Sequence, residues 1–195
     1  MHLNRLLLSL ITCSTLLLGA CSQKDSPSAA SQPTKQEVSV DAVATQAKGF
    51  TVGALMSAHT AYVFFDPQCP HCGHLWQASV PLHKKIKFVW VPVAWINASS
   101  LPQGAALLTS ANPFSLMTEH ETSLLSGKGG IPAPASVTPE IEKSIKANTA
   151  LLNSFGAESV PYVVAKNART GQTVSRNGAL TTAALAELIG VDATP

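Results

Sequence analysis

The sequence predicts an α/β fold in which helices flank a mixed central sheet. Apolar, aromatic runs typical of buried strands lie at 61–65 and 86–95. After them, residues 102–128 and 139–155 repeat apolar side chains at helical spacing. A strand–turn–strand pattern and a last helix occupy 161–189. Strands and helices that follow one another in this way form a sheet with helices packed on its faces.

The boundaries of each element follow from residues that end strands or start helices. Asp66-Pro67 ends the first strand, and a helix begins at Cys69 and runs to Pro81. Pro92 makes the end of the second strand an edge or a bend. The remaining predicted elements are a helical insertion at about 100–155 with a Gly/Pro loop at 129–134, strands at 161–165 and 172–176 around a turn at 167–171, and a helix at 181–189.

Composition limits the classes of function. The chain has 195 residues, of which 46% are hydrophobic and 12% are charged. This size suits one compact domain with appendages. The net charge is +2, from 13 Lys+Arg and 11 Asp+Glu, and the sequence contains no basic run and no basic–aromatic pattern. We therefore expect no nucleic-acid partner.

Residues 1–20 are predicted to be a signal peptide of the lipoprotein type. Arg5 precedes an apolar run at 6–18, which is shorter than the ~20 residues needed to cross a bilayer. The run ends in Leu-Gly-Ala-Cys21, which resembles the lipobox of bacterial lipoproteins, where the cysteine is lipidated. The alternative is an ordinary signal peptide that leaves Cys21 as a spare thiol. Ser22 stands where an Asp often retains lipoproteins at the inner membrane, which favours attachment to the outer membrane, facing the periplasm.

A tether is predicted to connect this N-terminus to the folded domain. Residues 22 to about 36 are mostly Ser, Pro, Ala and Gln, and residues 38–47 allow a short helix that ends at Gly49. The expected organisation is a signal peptide at 1–20, a lipidated N-terminus with tether and short helix at 21–48, and one folded domain at 49–195.

The chain has four cysteines, and their positions leave one pair in the mature domain. If residues 1–20 are a lipoprotein signal peptide, Cys13 leaves with it and Cys21 carries the lipid, so Cys69 and Cys72 remain. A disulfide between these two closes a very small loop and constrains the unfolded chain little. The pair is therefore better explained as a redox centre than as a structural bond.

The position of the pair at the start of a helix favours redox chemistry. Unpaired N–H groups and the helix dipole at that end stabilise a thiolate on Cys69, and the thiolate is the nucleophile in disulfide exchange. Cys72, one turn further on and less exposed, is expected to resolve the mixed disulfide that Cys69 forms. Pro70 suits the first helical turn, and His71 adds to the stabilisation of the thiolate.

Three other uses of the cysteine pair have weaker support. A zinc site with His74 or His83 lacks a second Cys-x-x-Cys or a spaced histidine pair to complete it. Covalent haem attachment requires a histidine directly after the second cysteine, where Gly73 stands. A structural disulfide is disfavoured by the small loop. We therefore expect neither a metal nor a cofactor.

A set of motifs spread along the chain is similar to one known family. The motifs are YVFFDPQCPHC at 62–72, Leu75-Trp76, Leu151-Leu152, Gly156-Ala157, Val160-Pro161 and Gly178. They resemble the catalytic domain of the periplasmic disulfide isomerase family that includes DsbC and DsbG, and DsbG more than DsbC. The resemblance covers about residues 50–190, including the helical insertion. It implies a thioredoxin-like catalytic domain at 49–195, with Cys69 as the nucleophile and Cys72 as the resolving thiol.

Val160-Pro161 opens the third predicted strand. Proteins with a thioredoxin-like fold carry a cis-proline at this place, beside the active-site cysteines, with backbone exposed for an incoming peptide. The resemblance therefore implies that Pro161 is the substrate-side cis-proline and that Val160 precedes it in the site. The alternative is that Pro161 starts the strand in the trans form.

The chain departs from the family pattern in several places. The segment between Cys21 and Gly49 is too short for the family's dimerisation domain and linker helix, so we expect a tethered monomer. Val160 replaces the usual Thr before the cis-proline, and Cys-Pro-His-Cys with Val-Pro is the combination of the oxidant DsbA. The buried acid of thioredoxin, six residues before its nucleophile, corresponds to Val63. Asp66 is nearer, and we expect it to cap the helix rather than to transfer protons.

These features together predict a periplasmic, lipid-anchored thiol–disulfide oxidoreductase similar to DsbG. Cys69 and Cys72 are expected to exchange disulfides with exported proteins, while Pro70, His71 and Asp66 tune the thiolate. Family analogy adds the rescue of sulfenylated thiols and a membrane redox partner of the DsbD or DsbB type. Whether the pair acts as an oxidant, a reductant or an isomerase stays open at this point.

A binding protein without redox turnover is the alternative. Such a thioredoxin-like lipoprotein holds copper or a peptide, with Met56 and Met117 as soft ligands. The two methionines are more simply explained as core residues. His59, His83 and His120 are expected to be surface or partly packed residues, and no role is predicted for them.

Overall fold

Helices cover a five-stranded sheet in the computed structural model, which describes residues 36–193. The strands are β1 (Phe50–Gly53), β2 (Thr60–Phe65), β3 (Lys87–Pro92), β4 (Tyr162–Lys166) and β5 (Thr173–Asn177). The helices are α1 (Val40–Gln46), α2 (Pro70–Ser79), α3 (Ser100–Thr109), α4 (Pro113–Leu125), α5 (Pro139–Ser154) and α6 (Thr182–Ile189). A 3₁₀ turn at Val80–Leu82 follows α2. The predicted α/β class is confirmed.

The sheet has the strand order β1-β3-β2-β4-β5. The pair β2 and β3 is parallel, whereas β1 with β3, β2 with β4 and β4 with β5 are antiparallel. In the middle strand β2, Val63 lies opposite Trp90 on one side and Val163 on the other. The parallel connection from β2 to β3 passes through α2, so α2 lies against a face of the sheet.

The core is built around β2, whose second half is completely buried. Val63, Phe64 and Phe65 have no exposed surface, as expected for an interior strand that is covered on both faces. The Phe65 ring packs edge-on against Trp90, with centroids 5.6 Å apart, and the Phe64 ring packs against Phe155 at 6.3 Å. The chain therefore enters the cysteine motif from a strand that is held firmly on both faces.

α2 is held by β3 and by two other helices. The Trp76 ring packs against Trp90 of β3 with centroids 5.1 Å apart, and its indole N–H donates to Thr118 of α4 at 3.3 Å. From α6, the hydroxyl of Thr182 donates to the carbonyl oxygen of Ala78 at 2.9 Å. These contacts fix the position of α2 relative to the sheet.

The first predicted helix of the insertion is two helices. The sequence predicts one helix over 102–128, but α3 ends at Thr109 and α4 begins at Pro113. Asn112 caps α4, because its side-chain oxygen accepts a hydrogen bond from the Ser115 N–H at 3.3 Å. A proline fits the first turn of a helix but breaks its interior, and asparagine is a favoured N-cap. The prediction of a single helix is therefore wrong.

The sheet contains a strand that the sequence did not predict. β1 has four residues, and only Phe50 and Val52 are buried, which is too short a pattern to recognise. Because β1 pairs with β3, β3 is an interior strand up to Trp90, whereas its end at Pro92 pairs with β2 alone and is an edge, as expected. Pro92 is the last residue of β3, so the predicted strand at 86–95 is shortened at both ends.

The other predicted elements lie within two residues of their observed bounds, which is the usual scatter at the ends of helices and strands. Between residues 36 and 193, no helix combines the length and the apolar character needed to cross a bilayer. The predicted signal peptide at 1–20, the lipidation site Cys21 and most of the tether lie outside the described residues.

We expect Asn148→Ala to destabilise the domain. Asn148 of α5 is fully buried, donates to the carbonyl oxygens of Pro92 (2.9 Å) and Lys48 (2.8 Å), and accepts from the Lys48 N–H (2.9 Å). Because each such bond contributes about 1 kcal/mol, the free energy of unfolding measured in urea should fall by about 3 kcal/mol. Asn153→Ala removes one exposed bond from the same helix and is the control. Equal losses for the two variants would contradict the assignment.

Candidate active site

The cysteine pair lies at the junction of β2 and α2. The turn between them is closed by a hydrogen bond from the Cys69 N–H to the carbonyl oxygen of Asp66, at 2.9 Å. Cys69 is the N-cap of α2, with backbone angles φ −99° and ψ 108°, and Pro70 occupies the first turn. The backbone N–H groups of His71 and Cys72 in this turn act on the Cys69 sulfur.

Both cysteines are free thiols, and they differ in exposure. Cys69 has 5% of its surface exposed, whereas Cys72 has none. The Cys69 Sγ lies 3.5 Å from the carbonyl oxygen of Val160, to which it donates when protonated. Of the two sulfurs, only that of Cys69 belongs to a residue with exposed surface.

The peptide bond between Val160 and Pro161 is cis, which is the geometry expected from the sequence. Both residues are buried, and β4 begins at the next residue, Tyr162. The carbonyl oxygen of Pro161 accepts a hydrogen bond from the Gly178 N–H at 2.8 Å. The segment that faces the Cys69 sulfur is thus anchored directly to the sheet.

The Cys69 thiol is unusually acidic. Its pKa falls from 9.0 to about 6, chiefly because the Cys72 thiol donates a hydrogen bond to the Cys69 sulfur. The backbone N–H groups of Cys72 and His71 and the charge of His71 lower the pKa further, whereas burial opposes the change. At neutral pH, Cys69 is therefore mostly the nucleophilic thiolate.

The Cys72 thiol keeps its proton. Burial raises the pKa of Cys72 well above its usual value, and both the hydrogen bond to Cys69 and the charge of Cys69 raise it further. The pair thus combines one ionised and one protonated sulfur. This is the starting condition for nucleophilic attack by the first cysteine and later resolution by the second.

His74 and His83, the histidines considered as zinc ligands, lie in different environments. His74 is exposed, with its ring 6.1 Å from that of His71, which is also exposed. His83 packs against aromatic rings, its Nε2 lies 3.2 Å from the Ser79 hydroxyl, and burial lowers its pKa to about 4. In the part of the chain that the structure describes, no three His, Cys, Asp or Glu side chains are grouped as a metal site.

Asp66 does not cap α2, so that prediction is wrong. Its fully buried carboxylate accepts hydrogen bonds from the N–H groups of Gln68 (2.8 Å), Trp95 (2.6 Å) and Ile96 (2.9 Å). The N-cap position belongs to Cys69, three residues further along the chain. Asp66 instead fixes the turn before Cys69 to the loop that follows β3.

Gln103, which the sequence did not identify, joins the helical insertion by a hydrogen bond to the turn at residues 66–69, which we call the cysteine turn. Gln103 of α3 is 4% exposed and accepts a hydrogen bond from the side chain of Gln68. Its own amide donates to the carbonyl oxygens of Gly129 (2.9 Å) and Ile131 (2.7 Å). One buried amide thus joins the residue before Cys69 to the loop between α4 and α5.

His120 makes a second connection of the same kind. Its Nε2 lies 2.7 Å from the carbonyl oxygen of Pro67, and its Nδ1 accepts from the Ile131 N–H at 3.1 Å. This pattern requires a neutral ring that carries its proton on Nε2. Burial lowers the pKa of His120, which agrees with the neutral form. His120 is fully buried, so the expectation of a surface or partly packed residue is wrong.

Glu121 of α4 is a buried carboxyl group beside α2. It is 1% exposed, and neither of its carboxyl oxygens has a hydrogen-bond partner. Its Oε2 lies against Gly73, 2.6 Å from the point where a Cβ would stand. Burial and, to a smaller extent, the charge of Cys69 raise the pKa of Glu121 to about 9. At neutral pH, Glu121 is therefore protonated while Cys69 is ionised.

One sequence signal could have identified Glu121. Met117, Glu121 and Leu125 are spaced four residues apart, so they share one face of α4. Met117 is fully buried on that face. An acidic residue within an otherwise apolar stripe marks a buried carboxyl group. The buried acid near the cysteine pair thus belongs to α4 of the insertion, whereas the strand carries Val63 at the position of the thioredoxin acid.

The two methionines considered as soft ligands differ in burial. Met117 belongs to the core, as expected. Met56 is 98% exposed, so its interpretation as a core residue is wrong. His59 is exposed, in agreement with the expectation of a surface residue. These environments give no support to copper binding.

Comparison with known sequences finds DsbG proteins. The chain is 30% identical to the thiol:disulfide interchange protein DsbG of Pseudomonas aeruginosa over 141 residues, which cover 71% of this chain and 54% of that protein. It is 33% identical to DsbG of Escherichia coli over 104 residues, which cover 52% of this chain and 41% of that protein. The chain spans roughly half the length of these relatives. No protein-family model matches it.

Solved structures show the same fold. The catalytic domain of ScsC from Proteus mirabilis matches with a TM-score of 0.60 at 15% identity, over 76% of this chain and 91% of that one. A periplasmic thioredoxin-like protein from Salmonella enterica serovar Typhimurium gives 0.61 at 16% identity, over 79% and 97%. The thiol-disulfide exchange protein α-DsbA2 from Wolbachia pipientis gives 0.56 at 17% identity, over 72% and 85%.

The fold and the strand–turn–helix placement of the cysteine pair define a thioredoxin-like protein. With the sequence similarity to the two DsbG proteins added, the chain is a DsbC/DsbG-like thioredoxin-like protein. The resemblance stated from the sequence motifs is therefore confirmed.

We expect Cys72→Ala to raise the pKa of Cys69 from about 6 towards 9.0, because it removes the strongest hydrogen bond to the thiolate. His71→Ala should raise it less, because the charge of His71 is the smallest of the causes. The rate of Cys69 alkylation by iodoacetamide, followed as a function of pH, measures both changes. A larger increase for His71→Ala would contradict this order of causes.

The shifted pKa values of Glu121 and Cys69 have opposite effects on the stability of the dithiol form. At slightly alkaline pH, the folded state retains a proton on Glu121 that the unfolded state has lost, and lacks a Cys69 proton that the unfolded state holds. Each difference changes the free energy of unfolding by about 1.4 kcal/mol per pH unit, downwards for Glu121 and upwards for Cys69 as pH rises. We therefore expect a nearly flat profile between about pH 7 and pH 8.5.

Two variants should separate these contributions. In Glu121→Gln the stability should rise with pH by about 1.4 kcal/mol per unit, and in Cys69→Ala it should fall. Urea denaturation of the reduced proteins at several pH values measures the slopes. Glu119→Gln, an exposed change on the same helix, should keep the flat profile. Parallel profiles for all the variants would show that the two shifts are not linked to folding.

Proposed function

We propose that this protein is a thiol–disulfide oxidoreductase that exchanges disulfides with exported proteins through Cys69 and Cys72. The observation that carries the proposal is the acidic Cys69 sulfur at the start of α2, with a protonated Cys72 behind it and the Val160 carbonyl 3.5 Å away. Similarity to relatives named thiol:disulfide interchange proteins supports it.

In the reducing direction, the Cys69 thiolate attacks one sulfur of a substrate disulfide. A bond forms between Cys69 and that sulfur, the substrate S–S bond breaks, and the other substrate sulfur leaves as a thiolate. Cys72 then gives up its proton and attacks the Cys69 sulfur, which releases the remaining substrate sulfur and forms the Cys69–Cys72 disulfide. The substrate gains two electrons and the pair loses two. The reverse sequence oxidises a substrate dithiol.

Val160 and Pro161 form the substrate side of the site in this proposal. When Cys69 is a thiolate or is bonded to another sulfur, it has no S–H to donate, and the Val160 carbonyl oxygen loses that donor. A backbone N–H of a peptide joined to Cys69 can take its place, as in other cases where a peptide pairs with exposed backbone. A hydrogen bond to this carbonyl oxygen thus favours an extended substrate that lies along residues 160 and 161.

The rim of the site suits unfolded polypeptides. Trp95 and Ile96 are 36% and 49% exposed, and the Asp66 carboxylate holds their N–H groups. Next to them, the Asn97 side chain donates to Gln68, the residue before Cys69, at 3.1 Å. Exposed apolar side chains at a site favour apolar partners. We therefore take incompletely folded proteins that contain cysteine as the substrates.

The location and the redox partner belong to the same proposal. A periplasmic site of action is supported by the signal-like residues 1–20 and by the periplasmic protein among the structural matches. A lipid on Cys21 attaches the domain to a membrane, with the outer membrane favoured by Ser22. A membrane protein of the DsbD or DsbB type then restores the redox state of the pair.

The acidity of Cys69 bears on the direction of exchange. A lower thiol pKa stabilises the reduced pair and makes its disulfide a stronger oxidant. Thioredoxin has a value of about 7 and DsbA of about 3.5, whereas that of Cys69 is about 6. This value favours an oxidising power well below that of DsbA, although His71 and Val160 match the DsbA pattern.

Exchange activity should depend on the two cysteines in different ways. Cys69→Ser should abolish the reduction of insulin by the protein, because the nucleophile is lost. Cys72→Ser should form a stable mixed disulfide with the substrate, visible on a non-reducing gel, because nothing resolves it. Cys21→Ser should leave the exchange rate unchanged. Reduction of insulin by Cys69→Ser at the wild-type rate would end the proposal.

A further inference from the structure

The resolving step requires an acceptor for the Cys72 proton. Cys72 has no exposed surface, and its pKa lies well above its usual value. At neutral pH the thiol must therefore lose its proton as it attacks the Cys69 sulfur. Bulk water does not contact the sulfur, so a nearby side chain has to take the proton.

Glu121 is placed for this task. Its carboxyl group lies against Gly73, the residue that follows Cys72, and its charge acts on the Cys72 thiol. Both of its oxygens are buried and lack hydrogen-bond partners, so the group can accept a proton once it is ionised. A buried carboxyl group without a hydrogen bond is costly to maintain, and such groups in native structures call for an explanation.

We propose that Glu121 accepts the proton of Cys72 when Cys72 attacks the mixed disulfide on Cys69, and returns it when the reaction runs backwards. The proposal rests on the disulfide exchange proposed above, and it names the group that makes the second step of that exchange possible.

The proton and the negative charge can be followed through both steps. In the first, the Cys69 thiolate forms the mixed disulfide and the other substrate sulfur leaves as a thiolate; with the charge on Cys69 gone, Glu121 then loses its proton to solvent and becomes a carboxylate. In the second, the carboxylate takes the proton of Cys72, the Cys72–Cys69 bond forms, and the substrate leaves as a thiolate. The buried site therefore never holds two negative charges.

The electrostatics agree with this sequence. Burial raises the pKa of Glu121 and the charge of Cys69 raises it further, so the carboxyl group keeps its proton while Cys69 is a thiolate. Once Cys69 is bonded to a substrate sulfur, this charge is gone and Glu121 ionises more easily. The charge of the carboxylate then acts on Cys72. On α2, Glu121 therefore interacts electrostatically with the two reacting thiols: the charge of Cys69 acts on Glu121, and the charge of Glu121 acts on Cys72.

Other buried polar groups near the pair are engaged elsewhere. The Asp66 carboxylate accepts three backbone hydrogen bonds. The His120 ring is held between Pro67 and Ile131. The indole nitrogen of Trp90 is buried without a partner, but an indole N–H only donates. Among these groups, Glu121 has the free acceptor.

The test separates the two steps with dithiobis(nitrobenzoate), an aromatic disulfide whose thiolate product is coloured. In protein with Cys13 and Cys21 replaced by Ser, attack by Cys69 should release one coloured thiolate and resolution by Cys72 a second one. In Glu121→Gln the first release should keep its rate, whereas the second should slow by about 100-fold at neutral pH, the usual loss when a positioned base is removed. Glu119→Gln is the matched control and should behave as the wild type.

The pH profile of the second release distinguishes proton transfer from a structural effect. In the wild type the rate should level off once Glu121 is ionised, below about pH 9. In Glu121→Gln it should keep rising through that range, because hydroxide is then the acceptor and the Cys72 thiol is still protonated. Wild-type rates, or a wild-type plateau, in Glu121→Gln would overturn the assignment. Absence of the first release in the wild type would instead refute the proposed exchange itself.

Discussion

The hydrogen bond from the Cys72 thiol to the Cys69 sulfur is the interaction on which the site depends. It lowers the pKa of one thiol and raises that of the other, so two chemically identical groups become a nucleophile and a proton donor. The bond requires Cys69 to be the N-cap of α2, because the first helical turn then brings Cys72 back beside it. The buried strand β2 and the packing of Trp76 on the sheet keep that starting point in place.

The parts of the site that the sequence could predict depend on short stretches of chain. The strand before the cysteines, the helix after them and the placement of Pro70 follow from neighbouring residues. The contacts of Gln103 and His120 do not, because each joins the cysteine turn to a residue far along the chain, and only the folded path of the insertion brings them together. The predicted capping role of Asp66 is wrong for a related reason. Two of its hydrogen-bond donors, the N–H groups of Trp95 and Ile96, come from the loop after β3 and not from the helix that follows it.

The insertion therefore has a different importance from the one that its sequence suggests. Its helices look like a covering layer, with apolar residues towards the core, yet α3 and α4 supply the polar groups that contact the cysteine turn. The strand that leads to the cysteines carries no acid, with Val63 at the position that corresponds to the acid of thioredoxin. The structure brings Glu121 to the same pair from α4, so an element that local motifs do not describe adds a buried acid to the environment of Cys72.

Gly73 has a consequence for how this domain can vary. Its missing side chain leaves the space that the Glu121 carboxyl fills, and Leu125 lies against the same point, 3.1 Å from where a Cβ would stand. Any larger residue at position 73 must push the carboxyl group away from the thiols or separate α2 from α4. Positions 73 and 121 are therefore constrained to change together, and a chain that gained a side chain at the first would need a shorter or apolar residue at the second.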